Sequence, residues 1–545
     1  MAAPGVLSTE IDLSDRVPSF PGVYGYIQIR GRKGRTGPRL MTSENQLLKS
    51  LTPDEKFLIG YDLAYFSASN YLQASDKLWT NRIIPADAKS AGIALALDGA
   101  YDVEGRKVDE TFKFSSGEMV LIAADNQGAW GNDIAIRIYT YEDEPKKVKE
   151  PNAFIIEVFK RKNLNQPVEQ HVCSLDPGQM DGYNKNIFIE NVLRTSNFLT
   201  AYVNPVNDGA VNPYPFSVGY TKNVGNPNAA VLGTPEFLKA GDDGSLVTSG
   251  EMIQGLDAIR NTDEFPLTLI LDGGYTTPAY QQALVRLAES RGDSVALLSM
   301  PFEAQSSANY LNDMINYRNG DLEVQGGKFQ VDSSYAAMYA PHIEMYDKFN
   351  DYYFYASPEG FAAAVISKTA ANYEIWYPPA GYRRASILAN DVYRKFTKGE
   401  LDILYDNGIN CFRYARGRGI VLWGQKTLQN RPSALDRLNV RLMLIVVKPA
   451  VAQALDNFVF EINDERTRSI VSAQITSYME GIKARSGVSD FSVVCDDTNN
   501  TAEDIDSYNL NVWLFVKPER AAEYIKFSTI ITRTGTDFSV AASLV

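Results

Sequence analysis

Residues 265–301 hold the pattern that constrains the fold most. An apolar run at 267–271 ends in Asp272-Gly273-Gly274, and Thr277 and Pro278 then suit the cap and first position of a helix. Leu284, Leu287 and Ala288 recur at helical spacing, Gly292 stands where a helix stops, and a second apolar run covers 295–298. Two buried strands joined through a helix cannot form a hairpin. The spacing predicts a parallel pair with a right-handed crossover, a β-α-β unit.

This unit sits in a chain several cores long, since 545 residues correspond to roughly three or four domains. Residues 23–30 read as a strand, 44–51 as a helix, 58–78 as a longer helical stretch and 79–85 as a strand. From about 90 to 210, short alternating segments at 111–114, 133–141 and 153–160 lie between Gly, Pro, Asn and Asp clusters. Residues 204–250 read as a long loop or irregular rim. Farther on, Asn463 suits a helix cap, Asp464 and Glu465 its first turn, and Lys483 and Arg485 its last. Val471, Ile475, Tyr478, Met479 and Ile482 then make one buried face. Strands are expected at 491–495 and 510–516, with further strand-like pieces at 529–534 and 537–544. A short strand at 5–13, isolated by Pro18 and Pro21-Gly22, has little of its own to pair with. Both ends must therefore join a sheet elsewhere, in the same subunit or another.

The expected class is α/β and α+β multidomain. An N-terminal arm covers 1–22, a central α/β domain 23–90 plus 205–375, and a mainly-β inserted region 91–204. A C-terminal mixed-sheet domain covers 376–527 and a C-terminal arm 528–545.

Charge narrows the function classes. With 53 basic and 66 acidic residues the net charge is −13, which keeps a subunit soluble and argues against general nucleic-acid binding. Cys173, Cys411 and Cys495 are too few and too far apart for a disulfide framework, and fit buried thiols in a reducing cytoplasm. No uninterrupted apolar run approaches the ~18 residues of a spanning helix. Met1-Ala2-Ala3-Pro4-Gly5 lacks the basic start and apolar core of a signal peptide. The expectation is a protein made inside the cell, without membrane insertion.

No stretch supplies a catalytic, cofactor-binding or metal site. His171 and Cys173 share a strand face, but a metal needs three or four ligands. His342-Ile343-Glu344 matches half of a zinc deaminase signature whose P-C-x-x-C half is missing. Gly419 to Thr427 superficially resembles a phosphate loop, but Gln425 separates Gly424 from Lys426 and Val421-Leu422-Trp423 reads as a strand. Asp272-Gly273-Gly274 lies where α/β folds bind ligands, or is simply a tight turn that needs glycine. The loop from Arg30 to Arg39 carries Arg30, Arg32, Lys33, Arg35 and Arg39 without an acid. It reads as a solvated turn or a patch for an acidic neighbour, in preference to a phosphate contact.

One ordered set of motifs goes further. Gly417-Arg418-Gly419, Val421-Leu422-Trp423-Gly424-Gln425-Lys426-Thr427-Leu428, Asp436-Arg437-Leu438-Asn439-Val440-Arg441, Phe460-Glu461-Ile462-Asn463 and Val493-Val494-Cys495-Asp496-Asp497-Thr498-Asn499-Asn500 succeed one another. Upstream stand Pro4-Gly5-Val6 with Glu10, Gly37-Pro38, Thr42-Ser43-Glu44-Asn45, Gly128-Ala129-Trp130-Gly131-Asn132-Asp133-Ile134, Asp181-Gly182-Tyr183 and Ile189-Glu190-Asn191-Val192. In this order they resemble the contractile tail sheath proteins of myovirus-type phages, over most of the chain and most weakly between about 85 and 115. Larger relatives house a protruding domain in that weak region, and the resemblance implies a reduced one here.

The resemblance implies a non-enzymatic subunit that polymerises as stacked sixfold rings around a tail tube and contracts to drive the tube through the host envelope. The C-terminal domain would lie near the tube. Partners would be further copies, the tube protein, the baseplate and the tail terminator, with no direct nucleic acid and no cofactor. Assembly would take place in the host cytoplasm and the product would be part of the virion. Inter-subunit pairing would fall to arm residues Val6, Leu7, Glu10, Ile11 and Leu13 and to Ile530, Ile531, Phe538 and Val540. Tube contact would fall to Arg466, Arg468, Lys483 and Arg485. A phage-like injection particle such as a contractile bacteriocin, and a cytosolic α/β enzyme using the Asp272 turn, are the alternatives.

Overall fold

The computed structural model describes residues 21–57, 62–96, 99–140, 153–205 and 235–523. The arm residues named above, and the strand pieces expected at 5–13, 529–534 and 537–544, lie outside them. The architecture is mixed α/β, with two compact units divided between Pro449 and Ala450.

In the first unit a sheet of nine strands runs in the order Ser386–Ile387, Gly419–Trp423, Ile409–Ala415, Ala336–Ala340, Val295–Ser299, Leu269–Leu271, Gly25–Ile29, Leu78–Arg82, Gly37–Met41. The six strands from Ile409–Ala415 to Leu78–Arg82 pair in parallel, while antiparallel strands finish both edges. The β-α-β expectation holds. Leu269–Leu271 and Val295–Ser299 are parallel neighbours, and the connecting helix Pro278–Arg291 starts after Thr277 and ends on Gly292 at φ 74°. Only glycine enters that left-handed conformation without strain. Tyr26, Ile270, Leu284, Leu298 and Met338 meet in one buried cluster. In sequence between Leu78–Arg82 and Leu269–Leu271, residues 92–203 and 236–237 build two antiparallel sheets of four strands. Ile122, Trp130, Ile136, Ile156 and Cys173 belong to their common core.

Local chemistry overrides periodicity at four places. The helix expected over 58–78 is Ala64–Leu72 among the described residues. Beyond it the Lys77 carbonyl accepts from the Gly25 amide and the Ser75 hydroxyl donates to the Val23 carbonyl, so the chain is drawn into the sheet. Residues 111–114 are not a strand, because the Asp109 carboxylate takes both the amide and the hydroxyl of Thr111 in a turn. The cap of the C-terminal helix Glu465–Ala484 is Asp464, which accepts from the Thr467 amide at 2.7 Å. Asn463 instead donates to the Asn509 carbonyl. Finally, the boundary expected at 376 does not interrupt the sheet. Parallel pairing of Met338 with Ile409 carries it through Trp423.

In the second unit the Glu465–Ala484 helix packs on an antiparallel hairpin of Val488–Val494 and Trp513–Pro518. Val471, Ile475, Met479 and Ile482 are buried and Tyr478 is half-buried. The helix Leu438–Asp456 alone, among the described residues, is long and apolar enough by composition to cross a membrane. With 67% of its apolar window buried, it has the pattern of a core helix.

Candidate functional site

The turn after Leu269–Leu271 closes onto an acid cluster. Asp272 is fully buried and accepts from the Gly274 amide at 3.0 Å, the Ser299 amide at 2.6 Å and Gln281 Nε2 at 2.8 Å. Ser299 Oγ lies 3.1 Å from Asp272 Oδ1 and is also hydrogen-bonded to Glu359 Oε2. Glu359, equally buried at the start of the helix Glu359–Asn372, accepts from Ser67 Oγ at 2.5 Å and Ser357 Oγ at 3.0 Å. One hydroxyl proton on Ser299 cannot serve two carboxylates, so at least one carboxyl of the pair must carry a proton. Burial raises both, and the neighbouring Glu359 charge adds to the shift of Asp272, to about 8. The cluster ties helices and strands across one end of the sheet. Asp272 is a structural clamp with its acceptors occupied.

The basic loop is absorbed within its own unit. The buried Arg82 donates to the carbonyls of Gly31, Gly34 and Gln127. Arg35 makes a two-pronged pair with Asp125, and the Lys33 ammonium sits 4.7 Å from the Phe198 ring and 5.2 Å from that of Trp130. Burial, helped by Lys160, lowers Lys33 to about 8. The Arg30 amide and the Tyr275 hydroxyl both donate to buried Asp62 at 2.6 Å. The loop therefore fastens the large sheet to the neighbouring β region.

The histidines have internal roles as well. His171 is hydrogen-bonded to Glu169 at 3.0 Å. Despite burial, which raises it, Glu169 is brought down to about 2 by His171, Ser196 and Asn197. His342 is buried, lowered to about 4 for that reason, and accepts from Gln305 at Nδ1. Among the described residues no three ligand-type side chains converge as a metal site, and the three cysteines are buried free thiols.

The proposed tube-contact set splits. Arg466, Lys483 and Arg485 are exposed, but Arg468 is only 7% exposed, hydrogen-bonded to Asn463 and paired with Asp497 at 2.7 Å. It lies three residues before Val471 and so turns to the buried face, correcting its assignment to the polar side. Periodicity missed a second feature, because exposure here depends on tertiary packing. Phe460, Tyr508, Trp513 and Phe515 stand open to solvent. Phe460 and Tyr508 also hold φ of 74° and 60°, a region that large side chains rarely adopt.

Comparison with known proteins agrees with this scaffold. The family model for the phage tail sheath protein central domain matches residues 247–428, and that for the phage tail sheath C-terminal domain matches 430–532. Together they span more than half of the chain. The tail sheath protein of Enterobacteria phage T4 is 27% identical over 383 residues, covering 68% of this chain and 55% of its own length. That of Vibrio phage KVP40 is 28% identical over 387 residues, covering 68% and 54%. The chain thus spans about half the length of these curated relatives. Among solved structures, the sheath tail protein of Listeria innocua aligns with a TM-score of 0.55 at 10% identity, covering 93% of this chain and 97% of its own. The corresponding protein of Desulfitobacterium hafniense aligns at 0.50 and 12%, covering 91% and 93%. Both likenesses concern the fold.

Proposed function

The chain belongs to the phage tail sheath family, and from that premise we propose that it is the structural subunit of a contractile sheath. It polymerises as stacked sixfold rings around the tail tube and shortens to drive that tube through the host envelope. The observation that carries this reading is the consecutive match of central and C-terminal sheath domains. Supporting it, the acid cluster ties elements of the large sheet together, and among the described residues the C-terminal unit leaves apolar surface and the edges of a two-stranded sheet open. An extended segment from another copy adds to such an edge through main-chain hydrogen bonds, holding subunits together while folded units move as rigid bodies.

On this reading residues 1–22 and 528–545 supply the added strands, through Val6, Leu7, Glu10, Ile11 and Leu13 and through Ile530, Ile531, Phe538 and Val540. Arg466, Lys483 and Arg485 face the tube, and the finished protein is a virion component assembled in the host cytoplasm. The baseplate and tail terminator bound the polymer. The sheath of a phage-like injection particle uses the same mechanism, and capsid and terminase genes beside the coding sequence separate the two. Negative-stain microscopy of the purified chain is the test of assembly. Rings or hollow tubes are expected, whereas compact monomers persisting at high concentration would refute the proposal.

A further inference from the structure

At one edge of the large sheet the protein carries a basic cleft that the described residues leave unfilled. The cleft, of about 430 Å³, lies between the end of the Glu359–Asn372 helix and the chain leading into the edge strand Ser386–Ile387. Lys368, Asn372, Tyr373, Arg383, Arg384 and Ser386 contribute to its walls, and among the described residues no acid lines it. Among the described residues, no acidic side chain forms an ion pair with Lys368, Arg383 or Arg384. Such a concentration of positive charge is conspicuous in a chain of net charge −13.

The walls are held in place. Arg384 Nε donates to the Pro378 carbonyl at 3.0 Å, and its guanidinium lies 5.6 Å from the Tyr373 ring and 5.5 Å from that of Tyr377. Asn372 Nδ2 donates to the Lys368 carbonyl at 3.0 Å. Around the cleft the surface is apolar and aromatic: Tyr373 is 42%, Tyr382 36% and Leu388 100% exposed. Tyr382 is itself buttressed by Trp423, at 5.1 Å between ring centroids, and by Arg418 at 4.4 Å. Exposed tyrosine and arginine set around a polar recess have the composition of a protein interface. Guanidinium and ammonium groups lining a recess that no described acid lines fit a carboxylate.

We propose that this edge is an interface between copies of the chain, and that the cleft receives carboxylate side chains of a second copy. The inference rests on the reading that copies assemble. Charge complementarity selects the occupant, because the cleft is lined by basic groups while the chain as a whole carries 66 acidic against 53 basic residues.

A carbodiimide, which joins an amine directly to a carboxylate, provides the test. Assembled wild-type chain, mixed from isotopically light and heavy copies, is expected to give Lys368–Asp or Lys368–Glu cross-links between light and heavy peptides, absent from unassembled protein. The double variant Lys368→Glu/Arg383→Glu should keep its circular dichroism and melting temperature, since both side chains are exposed, and lose about tenfold or more of its sedimentable polymer. Wild-type tubes without any Lys368 cross-link between copies, or variant tubes at normal yield, would overturn the inference while leaving the sheath reading intact. Binding of single-stranded DNA at physiological salt that the double variant abolishes would also overturn it, assigning the cleft to a polyanion. A wild-type chain that never assembles removes both proposals together.

Discussion

The two units solve the burial problem in opposite ways. Up to Pro449 the parallel strands Gly25–Ile29, Leu269–Leu271, Val295–Ser299 and Ala336–Ala340 are buried end to end, and the charged groups enclosed near them, such as Asp62, Arg82, Asp272 and Glu359, find partners within the unit. From Ala450 onwards, the described sheet has two strands, and Trp513–Pro518 alternates exposed and half-buried residues along its length. A two-stranded sheet is marginal by itself, and aromatic rings left in water contribute nothing to folding. The first unit is finished by its own sequence. If the second is finished by neighbours, as the proposed function has it, the same kind of substitution should act on folding in one and on assembly in the other.

The largest effect on folding should come from the core of the first unit. Leu284 is fully buried in the crossover helix, and Leu284→Ala removes its contacts with the sheet. The expected loss is about 2–5 kcal/mol, read as a lower urea midpoint at unchanged slope. A loss below about 1 kcal/mol would mean that the unit repacks easily, and the contrast between the units would fail.

That crossover is also where sequence and structure agree best, for a physical reason. Pro278 and Gly292 act within one turn of themselves, so their effect needs no knowledge of the rest of the fold, whereas the Thr277 hydroxyl makes no capping bond and meets Ser249 instead. The helix over 58–78 was overextended because the segment that ends it, around Val23 and Gly25, is about fifty residues away in sequence. The acid cluster was half legible. Asp272 stood out by its turn, whereas no motif singles out Glu359. Its signal was the stretch Gly360-Phe361-Ala362-Ala363-Ala364-Val365-Ile366, too apolar for a helix with a wet face. Arg468 was misplaced because its partner, Asp497, comes from a loop 29 residues on.

Next in size is the pH dependence of the first unit. Asp272 is raised from 3.8 to about 8 by burial and by Glu359, so the folded chain keeps a proton that the unfolded chain has released. A raised carboxyl contributes its stability fully below the unfolded value and loses it as pH climbs through the folded one. Taken alone, this term lowers the unfolding free energy between about pH 4 and 8, by at most ~1.4 kcal/mol per unit for one proton. Glu359→Gln removes the neighbouring charge and should flatten the slope. His342 acts in the other direction: lowered from 6.5 to about 4, it must charge on unfolding, so stability is lost as pH drops from 6.5 towards 4. The two terms offset each other between about pH 4 and 6.5, so urea titrations should show the fall between pH 6.5 and 8, and a wild-type profile that stays flat there would dismiss the shared proton.

A smaller effect is expected at Arg468. Asp497 is 86% exposed, so removing the guanidinium leaves no buried carboxylate behind. Arg468→Ala should cost about 1–2 kcal/mol, through the lost hydrogen bonds to Asn463 and the lost packing of the stem. Tubes should still form once folding is complete. Loss of tubes at full folding would return Arg468 to the surface that meets a partner.

The smallest effect on folding separates the units most sharply. Trp513 and Phe515 are 52% and 56% exposed, two residues apart on the outer face of the hairpin. Replacing both by serine removes area that is largely in water already, and should change the urea midpoint by no more than about 0.5 kcal/mol. If the face is completed by another subunit, the same change removes two aromatic anchors from an interface, where each truncation commonly costs above ~1 kcal/mol. Repeated at every copy along a polymer, that loss should abolish tubes seen by negative stain while the monomer melts normally. Normal tubes would instead show that Trp513 and Phe515 face solvent in the assembled state. A destabilised monomer would show that the second unit closes its own surface after all, and the distinction between a self-sufficient unit and an assembly-completed one would then have to be abandoned.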